Sequence, residues 1–297
     1  MHKHVDIGVL RIAYLETGQA NGKTAILLHG FPYDVHSYDE VTPILVSNGY
    51  RVIVPYLRGY GPTEFTDANT LRSGQQAVLA HDLLAFMDTL NISKAVLAGY
   101  DWGGRAACII AALWPSRVQA LVSVGGYTIQ NIPESVEPQT PENEHRYWYQ
   151  YYLHSERGRL GLHRNRRVFC RYLWRLWSPT WSFTNKEFNQ TADSFNNPDF
   201  VDVVTHSYRH RFGFVPGDPS VEKTEVLLTK MPQIPVPAVS LDGQEDGVAP
   251  LGGSSSHRRF FTGFFEHRTI PNAGHNLPQE ASADFAKAML SVGKVVK

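Results

Sequence analysis

The chain has 297 residues, of which 42% are hydrophobic and 12% aromatic, so it can bury a sizeable core and is not a disordered chain. Its 28 lysines and arginines balance 28 aspartates and glutamates, which excludes a general attraction to nucleic acid or to an anionic membrane. The first residues lack the apolar stretch of a signal peptide, and no apolar run is long enough to span a membrane. Two cysteines, Cys108 and Cys170, lack metal-ligand spacing, and together these features favour a cytoplasmic protein.

Strand-like and helix-like segments alternate along the first half of the chain. Residues 5–17 alternate polar and apolar side chains, as exposed antiparallel strands do. Residues 76–90 carry the apolar spacing of a helix. Short apolar runs that alternate with helices indicate an α/β fold with a mostly parallel sheet and helices on both faces. The predicted buried strands are residues 24–28, 51–55, 95–98, 120–124 and 238–241.

A change in composition interrupts this alternation. Residues 147–152 and 172–177 are rich in aromatic side chains, arginines are frequent, and Pro232, Pro235 and Pro237 mark the return to the earlier pattern. We therefore predict a helical cap that is inserted into the sheet domain. The predicted boundaries are residues 1–133 for the first part of the core, 134–231 for the cap and 232–297 for the second part of the core.

A glycine-rich turn, GYDWG at residues 99–103, joins a predicted strand to a helix of small residues. A strand, a turn and a helix with the pattern Gly-x-nucleophile-x-Gly form the nucleophile elbow of the α/β-hydrolase fold. Small neighbours are needed there because the nucleophile adopts a strained backbone conformation. The residue in this position is Asp101, and the alternative is that an Asp-containing pattern marks an ordinary turn.

Two polar residues follow later strands in the chain order of this fold, which is nucleophile, acid and histidine. Asp246 lies a few residues beyond the strand at 238–241 and could orient an imidazole. Asp242 is the competing acid, but it lies closer to the strand, which favours a role in shaping the turn. His275 lies in a glycine-containing loop before the final helix, where the fold presents its base; the alternative is that His275 only shapes this loop.

The segment HGFP at residues 29–32 follows a strand that precedes the turn. In this fold such a loop supplies one N–H of the oxyanion hole, and the residue after the nucleophile supplies the other. We assign these two donors to the backbone N–H groups of Phe31 and Trp102. A simple turn is the alternative interpretation of HGFP.

Together, these segments resemble the Asp-nucleophile branch of the α/β-hydrolase superfamily, which includes epoxide hydrolases, haloalkane dehalogenases and haloacetate dehalogenases. The chain is most similar to the soluble epoxide hydrolases. One departure is Tyr100, where many members of this branch carry histidine, and it implies a different support for the turn. The resemblance rests on HGFP at 29–32, RGYG at 58–61, GYDWGG at 99–104, DGQEDGVAP at 242–250 and AGHNLPQE at 273–280.

An aspartate nucleophile suits a particular reaction. A carboxylate is ionised at neutral pH and favours displacement at an sp³ carbon, such as an epoxide carbon or a carbon that bears halide. We expect an ester between Asp101 and the substrate, which water then hydrolyses with His275 as base and Asp246 as its orienting acid. Ester substrates are disfavoured, because attack by a carboxylate on an ester would give an anhydride that readily reverts. A binding protein without catalytic activity is the remaining alternative.

The choice between epoxide and halide depends on the cap. An opening epoxide forms an alkoxide that needs a proton donor, for which tyrosine phenols are suitable. Residues 145–152 and 206–210 resemble cap segments of epoxide hydrolases, whose tyrosines match Tyr149 and Tyr208, the first of them in a Tyr-Gln pair with Gln150. The alternative is that both tyrosines belong to the cap core, as we expect for other aromatic residues there.

A departing halide needs N–H donors instead, which are commonly indoles. The resemblance also implies that haloacetate dehalogenases prefer arginine directly after the nucleophile, where it binds the substrate carboxylate; this chain has Trp102 there, which argues against that activity. Arg105 lies one turn further on and could bind such a carboxylate instead, but a structural role is favoured. The tryptophans that could donate to a halide are Trp102, Trp148, Trp174, Trp177 and Trp181.

The remaining features concern the ligand. No Walker loop, Rossmann glycine pattern or HExxH motif occurs in the sequence, so we expect neither a cofactor nor a metal. We expect a small-molecule substrate of apolar or aromatic character, and a homo-oligomer stays open. The cap arginines are expected to form a solvated helix face, whereas several of them facing the pocket would imply an anionic substrate. These residues are Arg157, Arg159, Arg164, Arg166, Arg167, Arg171 and Arg175.

Overall fold

The computed structural model describes residues 2–249 and 253–295, which form nine strands and eleven α-helices. Pro250, the last residue of the 242–250 segment, and the end residues of the predicted core, Met1 and Lys297, lie outside this description. The strands are β1 Lys3–Asp6, β2 Leu10–Thr17, β3 Lys23–Leu28, β4 Tyr50–Pro55, β5 Glu64–Phe65, β6 Ala95–Gly99, β7 Val118–Val124, β8 Ala238–Gly243 and β9 Phe265–Ile270. The helices are α1 Val41–Ser47, α2 Gln76–Thr89, α3 Asp101–Leu113, α4 Pro141–Arg146, α5 Trp148–His154, α6 Glu156–Trp177, α7 Asn185–Ala192, α8 Phe200–Arg211, α9 Glu222–Leu228, α10 Leu277–Glu280 and α11 Ser282–Val295.

One sheet contains these strands in the order β1-β2-β4-β3-β6-β7-β8-β9, with β5 paired to β2. β2 pairs antiparallel with β1, β4 and β5, and the other neighbours pair in parallel. The central strand β6 is buried along its whole length, as expected for a parallel strand covered on both faces. The predicted α/β fold with a mostly parallel sheet is confirmed, and the five predicted buried strands correspond to β3, β4, β6, β7 and β8.

Helices cover the sheet in two packed pairs, α1 with α11 and α2 with α3. Helix α3 touches the central strands as well as α2, and its residues Ala106, Ala107 and Cys108 are fully buried. Small side chains allow this helix to lie close to the sheet, which places its first residue at the edge where the parallel strands end. Within the described ranges, no helix is both long enough and apolar enough to cross a membrane.

Helices α4 to α9 lie between β7 and β8 in the chain, and α6, α7 and the turn after α7 contact the loop after β3. The indole N–H of Trp174 donates a hydrogen bond to the carbonyl oxygen of Pro32 at 2.8 Å. The hydroxyls of Thr191 and Ser194 donate to the buried carboxylate of Asp34 at 3.0 and 2.6 Å. These contacts place the helices over the carboxyl ends of the parallel strands, while the boundaries at residues 134 and 231 stay a prediction.

The arginines predicted to form a solvated face all lie on α6, and none of them is buried. Arg159 pairs with Asp202 at 2.6 Å, and Arg167 pairs with Asp193 at 3.1 Å. This arrangement agrees with a solvated helix face and not with a pocket lined by these residues.

Candidate active site

Asp101 lies in a tight turn directly after β6, as the first residue of α3. Its φ is +50°, in the left-handed region that few residues other than glycine adopt. A side chain at Gly103 would collide with the backbone at the end of β3, and one at Gly30 would collide with Asp101 itself. The hydroxyl of Tyr100, the residue that differs from many members of the branch, hydrogen-bonds to that of Ser37 at 2.7 Å and so supports the turn from behind. The geometry is that of a nucleophile elbow.

The loop after β3 holds one oxygen of the Asp101 carboxylate. The backbone N–H of Phe31 donates to Asp101 Oδ1 at 2.8 Å. Trp102 is the second residue of α3, so its N–H has no partner within the helix. His29 accepts a hydrogen bond at Nε2 from the Leu57 N–H at 3.1 Å, and burial lowers the pKa of His29 to about 4, which keeps it neutral. HGFP is therefore a loop anchored to the end of β4 rather than a free turn.

Asp246 and His275 come together beside Asp101 at the carboxyl ends of β8 and β9. His275 Nδ1 lies 2.9 Å from Asp246 Oδ2, while Asp246 Oδ1 accepts from the N–H groups of Val248 and Ala249 at 2.9 Å each. His275 Nε2 lies 3.8 Å from Asp101 Oδ2, which is an ion-pair distance but longer than a hydrogen bond. The loop thus fixes the carboxylate of Asp246 and, through it, the imidazole ring.

The competing acid, Asp242, points elsewhere. Its carboxylate accepts from the N–H of Ser254 at 2.7 Å and lies 2.8 Å from His267 Nε2. Asp242 therefore organises the turn after β8, as its position close to the strand predicts, and the structure brings Asp246 to His275.

The charges of the two carboxylates act strongly on His275. Burial alone would lower the pKa of His275, but the negative charges of Asp246 and Asp101 outweigh it and raise this pKa to about 10. Burial alone would raise the pKa of Asp101, but its interaction with His275, the charge of Arg105 and the Phe31 N–H hold this pKa below its usual range. At neutral pH the group therefore consists of an imidazolium between two carboxylates.

Tyr149 on α5 and Tyr208 on α8 pack edge to face near this group, with ring centroids 5.4 Å apart. Burial raises the pKa of both phenols, and the charge of Asp101 raises it further, so both rings lie within the field of that carboxylate. The Tyr208 hydroxyl is buried and has no hydrogen-bond partner among the described residues. The Tyr149 hydroxyl accepts from Gln150 Nε2 at 3.0 Å.

The tryptophans that could donate to a halide differ in whether their indole N–H is already used and in where their rings lie. Trp174 is excluded, because its indole N–H already donates to Pro32. Trp148 and Trp181 are partly buried and pack against other aromatic rings. Trp177 lies 5.1 Å from the His275 ring, and the indole N–H of Trp102 is buried without a partner in the described part of the chain.

Two buried arginines adjoin the tyrosine pair and were not assigned to the site from sequence. The sequence favours a structural role for Arg105, and no sequence motif singles out Arg211. Arg211 Nη1 donates to Gln150 Oε1 at 3.3 Å, and its guanidinium carbon lies 4.8 Å from the Tyr208 ring centroid. The available signal was spacing, because residues three apart on a helix share a face, and Arg211 follows Tyr208 by one turn. In the residues that the structure covers, no cluster of side chains is placed to hold a metal ion.

The chain belongs to the alpha/beta hydrolase fold family, whose sequence profile matches residues 24–281. Within that family it is epoxide hydrolase-like. The crystal structure of a candidate epoxide hydrolase from Klebsiella pneumoniae is 43% identical, covers 99% of this chain and 97% of its own, and superimposes with a TM-score of 0.97.

Two curated relatives represent the two chemistries. Epoxide hydrolase 3 of Siraitia grosvenorii is 35% identical over 133 residues, which are 45% of this chain and only 40% of that protein. The match therefore spans less than half of that relative. A haloalkane dehalogenase of Psychrobacter cryohalolentis is 25% identical over 95% of this chain and 86% of its own length. The predicted resemblance to epoxide hydrolases is confirmed, and a dehalogenase is also similar.

Proposed function

We propose that this protein hydrolyses an epoxide to a vicinal diol through a covalent ester on Asp101. The observation that carries the proposal is the state of this carboxylate. Its Oδ1 is held by the Phe31 N–H, its Oδ2 faces His275, and its charge acts on the two buried phenols. A carboxylate that is kept ionised, with one oxygen fixed and the other free, is prepared to attack carbon.

In the first step Asp101 Oδ2 bonds to an epoxide carbon, and the bond from that carbon to the epoxide oxygen breaks. The oxygen leaves as an alkoxide, which takes a proton from Tyr149 or Tyr208. The hydrogen bonds of Gln150 favour Tyr149 as a donor. Because Arg211 can only donate, it fixes the amide oxygen of Gln150 on its own side, so the amide nitrogen donates to Tyr149 and leaves the phenol proton free.

Ester formation then prepares the second step. It removes the negative charge of Asp101, so the pKa of His275 falls and the imidazolium can return a proton to the phenolate. Neutral His275 takes a proton from water, which attacks the ester carbon, and the N–H groups of Phe31 and Trp102 stabilise the negative charge on Oδ1. One such donor typically contributes ~3–4 kcal/mol. Collapse releases the diol, with the departing oxygen protonated from His275, and restores Asp101.

The surroundings support a substrate with an apolar or aromatic body. The Phe31 ring stacks on Trp102 at 5.8 Å and lies 5.6 Å from Tyr208, and Trp177 lies 4.9 Å from Tyr149. Both cysteines are buried free thiols, which fits the proposed cytoplasmic location.

The second candidate is a haloalkane dehalogenase that uses the same three residues. The observation that favours it is the buried Trp102 indole N–H, which has no partner in the described residues and could donate to a halide. We favour epoxide opening, because in dehalogenation the paired phenols would have no role in the reaction.

Replacing both Tyr149 and Tyr208 by phenylalanine is expected to separate the two activities. Diol formation from styrene oxide should fall by about 10²-fold or more, because the alkoxide loses its proton donors. Bromide release from a bromoalkane, if present, should persist. Diol and bromide are measured in parallel, and Tyr172→Phe on the exposed face of α6 is the matched control.

Bromide release without diol in the wild type would instead favour the dehalogenase. Unchanged diol formation in the double variant would remove the phenols from the mechanism. A protein that turns over neither substrate class would support binding without catalysis.

A further inference from the structure

Two guanidinium groups are buried beside the tyrosine pair, and Arg105 also lies in the field of the Asp101 carboxylate. Arg105 and Arg211 are 9% and 8% exposed, and neither forms an ion pair with any described residue. A buried charge is costly unless an opposite charge or a full set of hydrogen bonds compensates it. Unpaired buried cations that adjoin a reaction centre therefore point to a ligand.

Arg211 uses only one side of its guanidinium group. Nη1 donates to Gln150 at 3.3 Å, whereas Nη2 is buried with no partner within the described residues. Arg209, on the same helix, shows the ordinary arrangement, because it pairs with Glu156 at 2.8 Å near the surface. The free edge of Arg211 is thus a specific feature of the site and not a general property of α8.

Arg105 lies one helical turn after Asp101 on α3. Its Nε donates to the Thr128 carbonyl oxygen at 3.0 Å, and its two terminal nitrogens form no hydrogen bond within residues 2–249 and 253–295. Burial lowers the pKa of Arg105 to about 9, and the positive charge of Arg211 contributes to this, so the two guanidinium groups lie within each other's field. Asp101 opposes the effect, but its own oxygens face Phe31 and His275.

We propose that Arg105 and Arg211 form a subsite for a carboxylate of the substrate, beside the reacting carbon. The guanidinium fork matches a carboxylate in shape and charge, and a carboxylate here would stabilise both cations. The inference rests on the proposed function, and it specifies the substrate class as an epoxide with an apolar or aromatic body that carries a carboxylate. The bound anion would also hold Arg211 in its hydrogen bond with the amide oxygen of Gln150. The amide nitrogen would then keep donating to Tyr149, which leaves the phenol proton of Tyr149 free.

The direct test is equilibrium binding of phenylacetate and of its neutral isostere, phenylacetamide, by calorimetry. Neither probe can react, so binding is read without turnover. The wild type is expected to bind the acid at least tenfold more tightly than the amide. Equal binding of the two probes by the wild type would overturn the proposal, whatever the variants do.

Variants then locate the effect. Arg211→Gln and Arg105→Gln should each reduce the preference for the acid by about tenfold, as expected for a hydrogen bond to a charged group. Arg211→Lys should retain part of it, because the charge stays but the fork is lost. Arg209→Gln removes a charge from the same helix and should leave the preference unchanged. A preference that survives in both glutamine variants would also contradict the subsite.

Turnover separates this inference from the proposed function. With 3-phenylglycidate and its amide as substrates, the subsite predicts that Arg211→Gln lowers kcat/KM for the acid more than for the amide. An equal loss for both would leave Arg211 with only its role in positioning Gln150. If the acid probe binds as expected but no epoxide is opened, the proposed epoxide hydrolysis is contradicted and the carboxylate subsite is supported. If epoxides are opened but the acid and the amide bind equally, the subsite is contradicted and the proposed hydrolysis is supported.

Discussion

Replacing Asp101 by asparagine is expected to abolish diol formation, with a loss of roughly four orders of magnitude or more in kcat, as for other removed nucleophiles. A carboxamide carries no negative charge, so it cannot displace the epoxide oxygen. The free oxygen that faces His275 at 3.8 Å would lose its nucleophilic character while the fold remains. Initial rates are measured on fresh protein, and intact mass excludes deamidation back to aspartate.

Asp242→Asn is the matched control for this variant. It neutralises the acid that lies only a few residues before Asp246 but pairs with His267 at 2.8 Å. It should keep diol formation in protein that remains folded. A fully active Asp101→Asn enzyme without deamidation would contradict the assignment of the nucleophile.

Replacing His275 by glutamine should have a different effect, because attack and hydrolysis use different groups. Asp101 keeps the Phe31 N–H and the charge of Arg105, both of which lower its pKa, so its ionised fraction can still form the ester. Glutamine cannot accept a proton from water, and steady-state turnover should fall by about 10²- to 10⁴-fold. Intact mass spectrometry should show protein heavier by one substrate molecule, with the addition in the peptide that contains Asp101.

His267→Gln provides the comparison, since it removes a histidine that pairs with Asp242 and not with Asp246. It should show turnover without accumulated ester. If His275→Gln loses turnover but forms no ester, the two-step division of roles is wrong.

The parts of the site that could be predicted from sequence depend on local geometry. The turn at Asp101 requires glycines because neighbouring backbones come within contact distance, and this requirement leaves a pattern in the sequence. Asp246, His275 and Phe31 follow the ends of parallel strands, and such ends meet at one edge of the sheet. Strand runs and loop positions therefore suffice to bring these residues together.

The parts that could not be predicted depend on how the cap helices rotate and dock. Periodicity shows that Tyr208 and Arg211 share a face of α8, but not that this face turns toward Asp101. The use of the Trp174 indole by Pro32 depends in the same way on a loop and a helix that lie far apart in sequence. For the same reason, the sequence does not distinguish the buried Arg211 from the arginines of α6, whose cations face solvent.

The most direct test of the covalent mechanism is a single turnover in water enriched in heavy oxygen, with enzyme in excess over styrene oxide. Mass spectrometry then locates the label in the diol and in the peptide that contains Asp101. The ester mechanism predicts an unlabelled diol and one heavy oxygen in the Asp101 carboxylate, because water attacks the ester carbon. Label in the diol with none in the protein would show that water attacks the epoxide directly, and would contradict the account.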